Sequence, residues 1–347
     1  MVRRQANTCP AGMYRQNVSP DMGILGIVRN EWKRMRRLRF VQFDVFTREP
    51  FGGNQLAVFF DGDILSDERM QAITREMNYS ETTFILPTTD PKALCRVRIF
   101  TPGAELPFAG HPVIGTTFAL AHAGLIRSGE SPVTLQLGVG LVPVELLYED
   151  QRVTFVWMHQ PIPTFEPWQG DPDRLASALG LASEDFDPDL PIERAIVGVN
   201  HVLVPIRSRE AIARARPEAD LLAALNLPNE HPGCFLFTLD MTGDEAIEGA
   251  TIHGRMFAPA MGIAEDPATG SAAGPLGVYL LRHGRLAPDE TGQARTRLEQ
   301  GVEMGRPSAL DIAITGSAEQ IEDVRVGGAS VLMVEGELLL PEGDMIP

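Results

Sequence analysis

From residue 40 onward, apolar and polar side chains alternate in short runs broken by Gly, Pro and Asp, the pattern of half-buried strands. Val41, Phe43 and Val45 share one face of a first strand, and Val97 and Ile99 alternate with Arg96 and Arg98 in a later one. Between them the period becomes helical. Met70, Ile73 and Met77 fall on one face, Ser66 stands at the N-cap, Leu65 and Met70 occupy staple positions, and Asn78 can close the C-terminus. Glu81 then falls in the turn leaving this helix, just before a strand over 82–86.

Further strands are predicted over 133–137, 141–147 and 152–158, and Gln160-Pro161-Ile162-Pro163 reads as a linker. Beyond it come strands near 195–205, 234–239 and 251–257, a helix over 270–283 ended by Gly284, and closing strands after 294. Many strands with few helices predict an α+β fold rather than a doubly wound parallel sheet. The lobes divide as 39–160 and 161–347, with the last strand free to return to the first lobe. Residues 1–38 carry neither period and read as a disordered basic tail, or as a mis-set start with Met35 the true initiator.

A repeat relates the halves. Phe100-Thr101-Pro102 is followed by Gly110-His111-Pro112-Val113-Ile114-Gly115-Thr116-Thr117, and Phe257-Ala258-Pro259 by Glu265-Asp266-Pro267-Ala268-Thr269-Gly270-Ser271-Ala272. With a two-residue gap His111 aligns with Asp266, Gly115 with Gly270 and Thr116 with Ser271. Each copy ends a strand at Phe-x-Pro and opens an apolar helix with a Gly-small-small step. Such helix starts offer free N–H groups and a positive dipole end to carboxylate or phosphate oxygens. Two of them on one cleft, with His111 and Asp266 just ahead, would form a small-anion site flanked by titratable groups.

The length of 347 residues suits two lobes, each with its own core. The formal net charge of −16 excludes a nucleic-acid backbone or an anionic membrane as partner. No apolar run is long enough to span a bilayer. Cys9, Cys95 and Cys234 are too few and scattered for a disulfide framework, which places the chain in a reducing cytoplasm and makes Cys95 and Cys234 small core residues. The histidines show no metal-ligand spacing, and no dinucleotide fingerprint, Walker loop or G-x-S-x-G elbow occurs. No metal and no cofactor is expected. Proton chemistry by carboxylates and imidazole remains.

Five segments carry a family resemblance: Asn78-Tyr79-Ser80-Glu81-Thr82-Thr83-Phe84, Arg98-Ile99-Phe100-Thr101-Pro102, Glu105-Leu106-Pro107-Phe108-Ala109-Gly110-His111-Pro112, the stretch from Glu265 to Gly274, and Gln300-Gly301-Val302-Glu303-Met304-Gly305-Arg306-Pro307-Ser308. Together they resemble the phenazine-biosynthesis PhzF-like family, in unbroken order over residues 39–340. The resemblance implies the diaminopimelate-epimerase-like fold: two similar lobes, each wrapping a mixed sheet around a central helix, with the site between them. Related epimerases place two thiols where this chain has His111 and Asp266, which disfavours a two-thiol racemase.

Carried over by residue, the resemblance makes Glu81 the general acid/base, with His111 and Asp266 catalytic beside it. Ser80, Gly110, Gly270 and Ser271 would bind substrate, the last three at its carboxylate, and Asp266 would meet its amino group. In the family's phenazine enzyme the reaction isomerises trans-2,3-dihydro-3-hydroxyanthranilate by moving a proton from C3 to C1. Burial by Tyr79, Phe84 and lobe closure would raise the Glu81 pKa. Arg306 suits an acidic neighbour as well as a substrate. The resemblance also suggests a homodimer acting on a small-molecule carboxylate. Two rival readings use the same residues: an isomerase or epimerase of another small carboxylic acid, and a non-catalytic protein-binding member of the family.

Overall fold

The computed structural model describes residues 35–197, 200–225, 233–243, 247–259 and 262–341. Among them, all eighteen strands join one hydrogen-bonded sheet, built twice from the same order of pairings. In the first half Met35–Val45 lies antiparallel to Asn54–Phe59, which runs parallel to Glu81–Leu86. Arg96–Phe100 follows antiparallel, then Val133–Leu137 in parallel, then Gly140–Glu149 and Arg152–Gln160. The second half repeats this with Glu193–Ile196, His201–Pro205, Gly233–Thr238, Ile252–Ala258, Gln293–Gln300, Ser308–Gly316 and Ile321–Gly328.

The two halves join where Arg152–Gln160 pairs antiparallel with Ile321–Gly328, on the pseudo-two-fold. Each half then gives its final strand to the other: Ser330–Pro341 pairs with Met35–Val45, and Thr164–Pro167 with Glu193–Ile196. The second parallel crossover of each lobe encloses a helix of thirteen residues, Gly110–His122 in the first lobe and Gly270–Arg282 in the second. Both central helices are buried along nearly their whole length, so they are apolar all round and show no amphipathic stripe. Smaller helices stay outside the sheet. The one at Asp67–Met77 is capped as expected, with Ser66 accepting from the Arg69 N–H and Asn78 in the left-handed region.

Three boundaries differ from the sequence reading. Regular structure is already present at Met35, ahead of Phe40, because Leu38 is buried and its strand pairs with residues up to Pro341. Positions 35–38 are therefore strand, and the rest of the expected tail lies outside the described residues. Gln160 belongs to no linker; it ends a strand and is buried. Strand 195–205 is two antiparallel strands, Glu193–Ile196 and His201–Pro205.

The repeat is present in another register. The second central helix starts at Gly270 as expected, but the first starts at Gly110, five residues before the Gly115 step, so Gly110 matches Gly270 and His111 matches Ser271. The extra residues of the second copy sit in the loop. There Asp266 pairs with Met256 as Leu106 pairs with Ile99, which makes Leu106 the counterpart of Asp266.

Candidate active site

The two central helices meet end to end. A Cβ on Gly110 would fall 2.5 Å from Gly270 Cα and 2.7 Å from Ser271 N, so backbone touches backbone and a larger residue would force the lobes apart. Neither helix has a side-chain N-cap, and Ala109 and Thr269 hold the cap positions. The leading N–H groups of each helix, at Gly110 and His111 and at Gly270 and Ser271, therefore open on one point with two positive dipole ends converging. An anionic group is the natural complement.

Glu81, His111, Asp266 and Ser271 are all buried around this point. Glu81 is the first residue of strand Glu81–Leu86 rather than a turn residue. Its Oε2 lies 3.4 Å from His111 Nε2. Neither atom has a hydrogen-bond partner, although both are buried. Such orphans are costly, which is why most buried polar atoms are paired. Burial first, and then the charge of Asp266, push the Glu81 carboxyl well above the usual carboxylate range. Burial drives the His111 imidazole down to about 3, with the Gln55 carbonyl opposing in part. Burial thus biases Glu81 toward its protonated form and leaves His111 uncharged at neutral pH.

Asp266 is treated differently. Burial raises its pKa, but Thr269, Ser80 and Asn54 donate to it and oppose the rise, while Glu265 adds to it. Thr269 Oγ1 donates to Oδ2 at 2.6 Å and Asn54 Nδ2 to Oδ1 at 2.8 Å. Of two neighbouring carboxyls, both raised by burial, the three donors favour the charged form of Asp266 over that of Glu81 with its orphaned oxygen. Ser80 and Asp266 are thus in contact, as are Glu81 and His111.

Several site residues escape the sequence reading. Asn54 lies 3.1 Å from His111 Nδ1 and also donates to the Ala268 carbonyl at 3.1 Å, joining the lobes. Gln300 donates to the Asp266 carbonyl at 2.7 Å and accepts from the Thr269 N–H. Gln160 donates to the Gly270 carbonyl at 2.8 Å. His201 Nε2 lies 3.1 Å from Ser271 Oγ. Gln160 and Gln300 carried a signal, since each ends a strand beside a Gly or Pro, but Asn54 and His201 meet their partners only through the long-range fold.

Two expectations change. Phe84 does not bury Glu81: alternation turns Phe84 to the outer cluster with Phe59 and Phe100, while Thr83 bonds Thr116 of the central helix. Tyr79 joins the same outer side and donates to Gln42. Arg306 reaches Asp44 at 2.7 Å and the carbonyls of Gly52 and Gly53 at 2.6 and 2.8 Å. It thereby fixes the loop that carries Asn54. Cys95 and Cys234 are buried free thiols, both pushed up to about 12 by burial.

Two pseudo-symmetric lobes around one cleft with a buried carboxyl and imidazole have the architecture of the epimerase-like isomerases. The chain belongs to the phenazine biosynthesis-like proteins, whose PhzC-PhzF family model matches residues 43–336. It is 42% identical over 303 residues to a trans-2,3-dihydro-3-hydroxyanthranilate isomerase of Pseudomonas aeruginosa, covering 87% of this chain and 99% of that one. Among solved structures it is similar to a PhzF-family protein of Bacillus anthracis at 28% identity, with a TM-score of 0.77 over 88% of this chain and all of the other. A predicted epimerase of Pseudomonas aeruginosa is 35% identical, with a TM-score of 0.70 over 87% of this chain and 99% of its own.

Proposed function

We propose that this isomerase moves a proton on trans-2,3-dihydro-3-hydroxyanthranilate, the substrate named for its Pseudomonas aeruginosa relative. The observation that carries the reading is the facing pair of buried, unpartnered atoms, Glu81 Oε2 and His111 Nε2, at 3.4 Å. Atoms left without partners in a folded interior are explained by a ligand that supplies them. The substrate carboxylate would sit at the starts of the central helices, against Gly110, Gly270 and Ser271. Its amino group would meet ionised Asp266, with Ser80 beside it.

A positive amino group brought into the cleft favours the ionised form of Glu81. Glu81 then removes the proton from C3, the electrons shift through the ring diene, and the same carboxyl delivers that proton to C1. The resulting enol becomes a ketone, and Glu81 regains its charge. No atom is lost or gained. One acid/base on one face suits this chain, because the second-lobe counterpart of Glu81 is Gly233. Thr82 pairs with Phe100 as Cys234 pairs with Phe257, and a Cβ on Gly233 would collide with Met256. The symmetry-related position therefore offers no second copy of this carboxyl.

The test is proton NMR in D2O with the purified protein and trans-2,3-dihydro-3-hydroxyanthranilate. Loss of the C3 proton signal with the wild type supports the reading. An untouched substrate, consumed by a control phenazine isomerase, overturns it and turns the search to other small carboxylic acids. No helix among the described residues is long and apolar enough to cross a membrane, in keeping with a cytoplasmic enzyme. A homodimer is part of the proposal, to be read by sedimentation equilibrium.

A further inference from the structure

His201 has no role in the reading above, yet it is 1% exposed, and its Nε2 lies 3.1 Å from Ser271 Oγ while Nδ1 has no partner. The pseudo-symmetry shows what the fold itself requires at this position. Leu56 pairs with Phe43 on one side and Glu81 on the other, and His201 pairs in the same way with Ala195 and Gly233. Leu56 is the counterpart of His201, and it packs as a plain apolar side chain against Gly115 of its central helix. The second lobe has replaced a leucine with a buried imidazole that burial pulls down to about 4. Packing gives no reason for that exchange, since a buried polar group with one orphaned nitrogen is worse than a leucine.

The tautomer follows from the orphan. A neutral imidazole has one N–H and one lone pair, and buried N–H groups without acceptors are rarer than unmatched acceptors. The proton therefore sits on Nε2 and is donated to Ser271 Oγ, leaving the Nδ1 lone pair unmatched. Ser271, its acceptor side engaged, turns its own O–H toward the converging helix starts. We infer that His201 is a positioning residue that holds Ser271 as a hydrogen-bond donor, selecting a ligand group that only accepts, such as a carboxylate, over one that also presents a donor, such as the NH2 of a carboxamide or the O–H of an alcohol. This rests on the proposed placement of the substrate carboxylate at Ser271.

The test uses full-length protein, the variants His201→Leu and His201→Gln, and two probes, 3-hydroxyanthranilate and its carboxamide. Leucine copies the first-lobe residue, so the fold should persist, which melting curves check. Glutamine can return a donor N–H to the Nε2 position. The wild type should prefer carboxylate to carboxamide by tenfold or more, His201→Leu should lose most of that preference through weaker carboxylate binding, and His201→Gln should restore it. With substrate, His201→Leu should raise KM by about tenfold and leave kcat within about threefold. In a Ser271→Ala background the same change should do nothing further.

Nitrogen-15 NMR of the free protein gives an answer independent of any substrate. A His201 signal of the Nε2–H tautomer supports the assignment, and an Nδ1–H tautomer overturns it. Equal preference ratios for wild type and His201→Leu overturn it as well. If the wild type binds neither probe, the substrate reading fails, and the tautomer still decides whether His201 orients Ser271.

Discussion

Two buried clusters in this protein use the same residue types and reach opposite charge states. In the cleft, His111 faces Glu81 with Asp266 nearby, and burial keeps the imidazole neutral and biases the Glu81 carboxyl toward its protonated form. Behind it in the second lobe, His253 lies between Glu299 and Glu303, with Nδ1 at 2.8 Å from one and Nε2 at 2.9 Å from the other. Burial opposes charge there too, but the hydrogen bonds to Glu299 and Glu303 outweigh it and raise the His253 pKa, and both carboxyls are lowered. Arg209 adds a second cation to Glu299 at 2.5 Å. The difference is pairing, not composition. A satisfied cluster is a stabilising strut, whereas one with facing orphans is poised to exchange a proton.

The largest effect should come from Glu81→Gln. Removing a general acid/base costs about 10² to 10⁴ in rate, so kcat should fall by that order while the fold persists, read by turnover and melting on the same samples. The second cluster should respond in the reverse sense. His253→Leu takes one hydrogen-bond donor from each of Glu299 and Glu303 while Arg209 stays on Glu299, which should cost about 1 to 3 kcal/mol in urea unfolding. Variant that remains folded should keep its kcat. A His253→Leu protein of full stability would break the comparison.

Asn54→Ala removes one of the donors that favour the ionised form of Asp266. The Asp266 pKa should rise, so activity that needs its charge is lost at a higher pH, and the acid limb of kcat/KM moves up. An unmoved limb would remove Asn54 from the charge balance.

The pH dependence of stability is the subtlest contrast. Glu81 is raised above its ordinary 4.5, so the folded state binds the extra proton and stability falls as pH climbs from 4.5 through the folded pKa. Glu81→Gln should abolish that fall and be the more stable protein at pH 8 but not at pH 4. His253, raised above 6.5, stabilises below that value and loses its contribution as pH rises through its folded pKa. Glu299 and Glu303, lowered below 4.5, contribute above 4.5 and lose it as pH falls through theirs. Melts of wild type and both variants across pH 4 to 9 separate these slopes.

The difference between the clusters also marks the limit of what the chain discloses before folding. Strand alternation at 41–45 and 96–99, the Ser66 and Asn78 caps and the recurrence of Phe-x-Pro with a glycine helix start are local signals, and the two-lobed α+β fold was legible from them. The register of the repeat was not. The central helices lack both the signals that announce a helix, since Ala109 and Thr269 make no side-chain cap and burial on all sides removes the amphipathic period. Glu81, His111, Asp266 and Ser271 were legible as candidates through their motifs. Asn54 was not, because it meets Asp266 across 212 residues of chain, and nothing local distinguishes it from a turn asparagine. The strut of His253, Glu299 and Glu303 was silent for the same reason, its members lying 46 and 50 residues apart.

The central claim, that one buried glutamate keeps its proton while another of the same type gives it up, is open to infrared difference spectroscopy at pH 7. Spectra of wild type minus Glu81→Gln should show the C=O stretch of a carboxylic acid, shifting in D2O, and spectra of wild type minus Glu299→Gln should show only carboxylate bands. A carboxylate signature for Glu81 in the free protein would contradict the account.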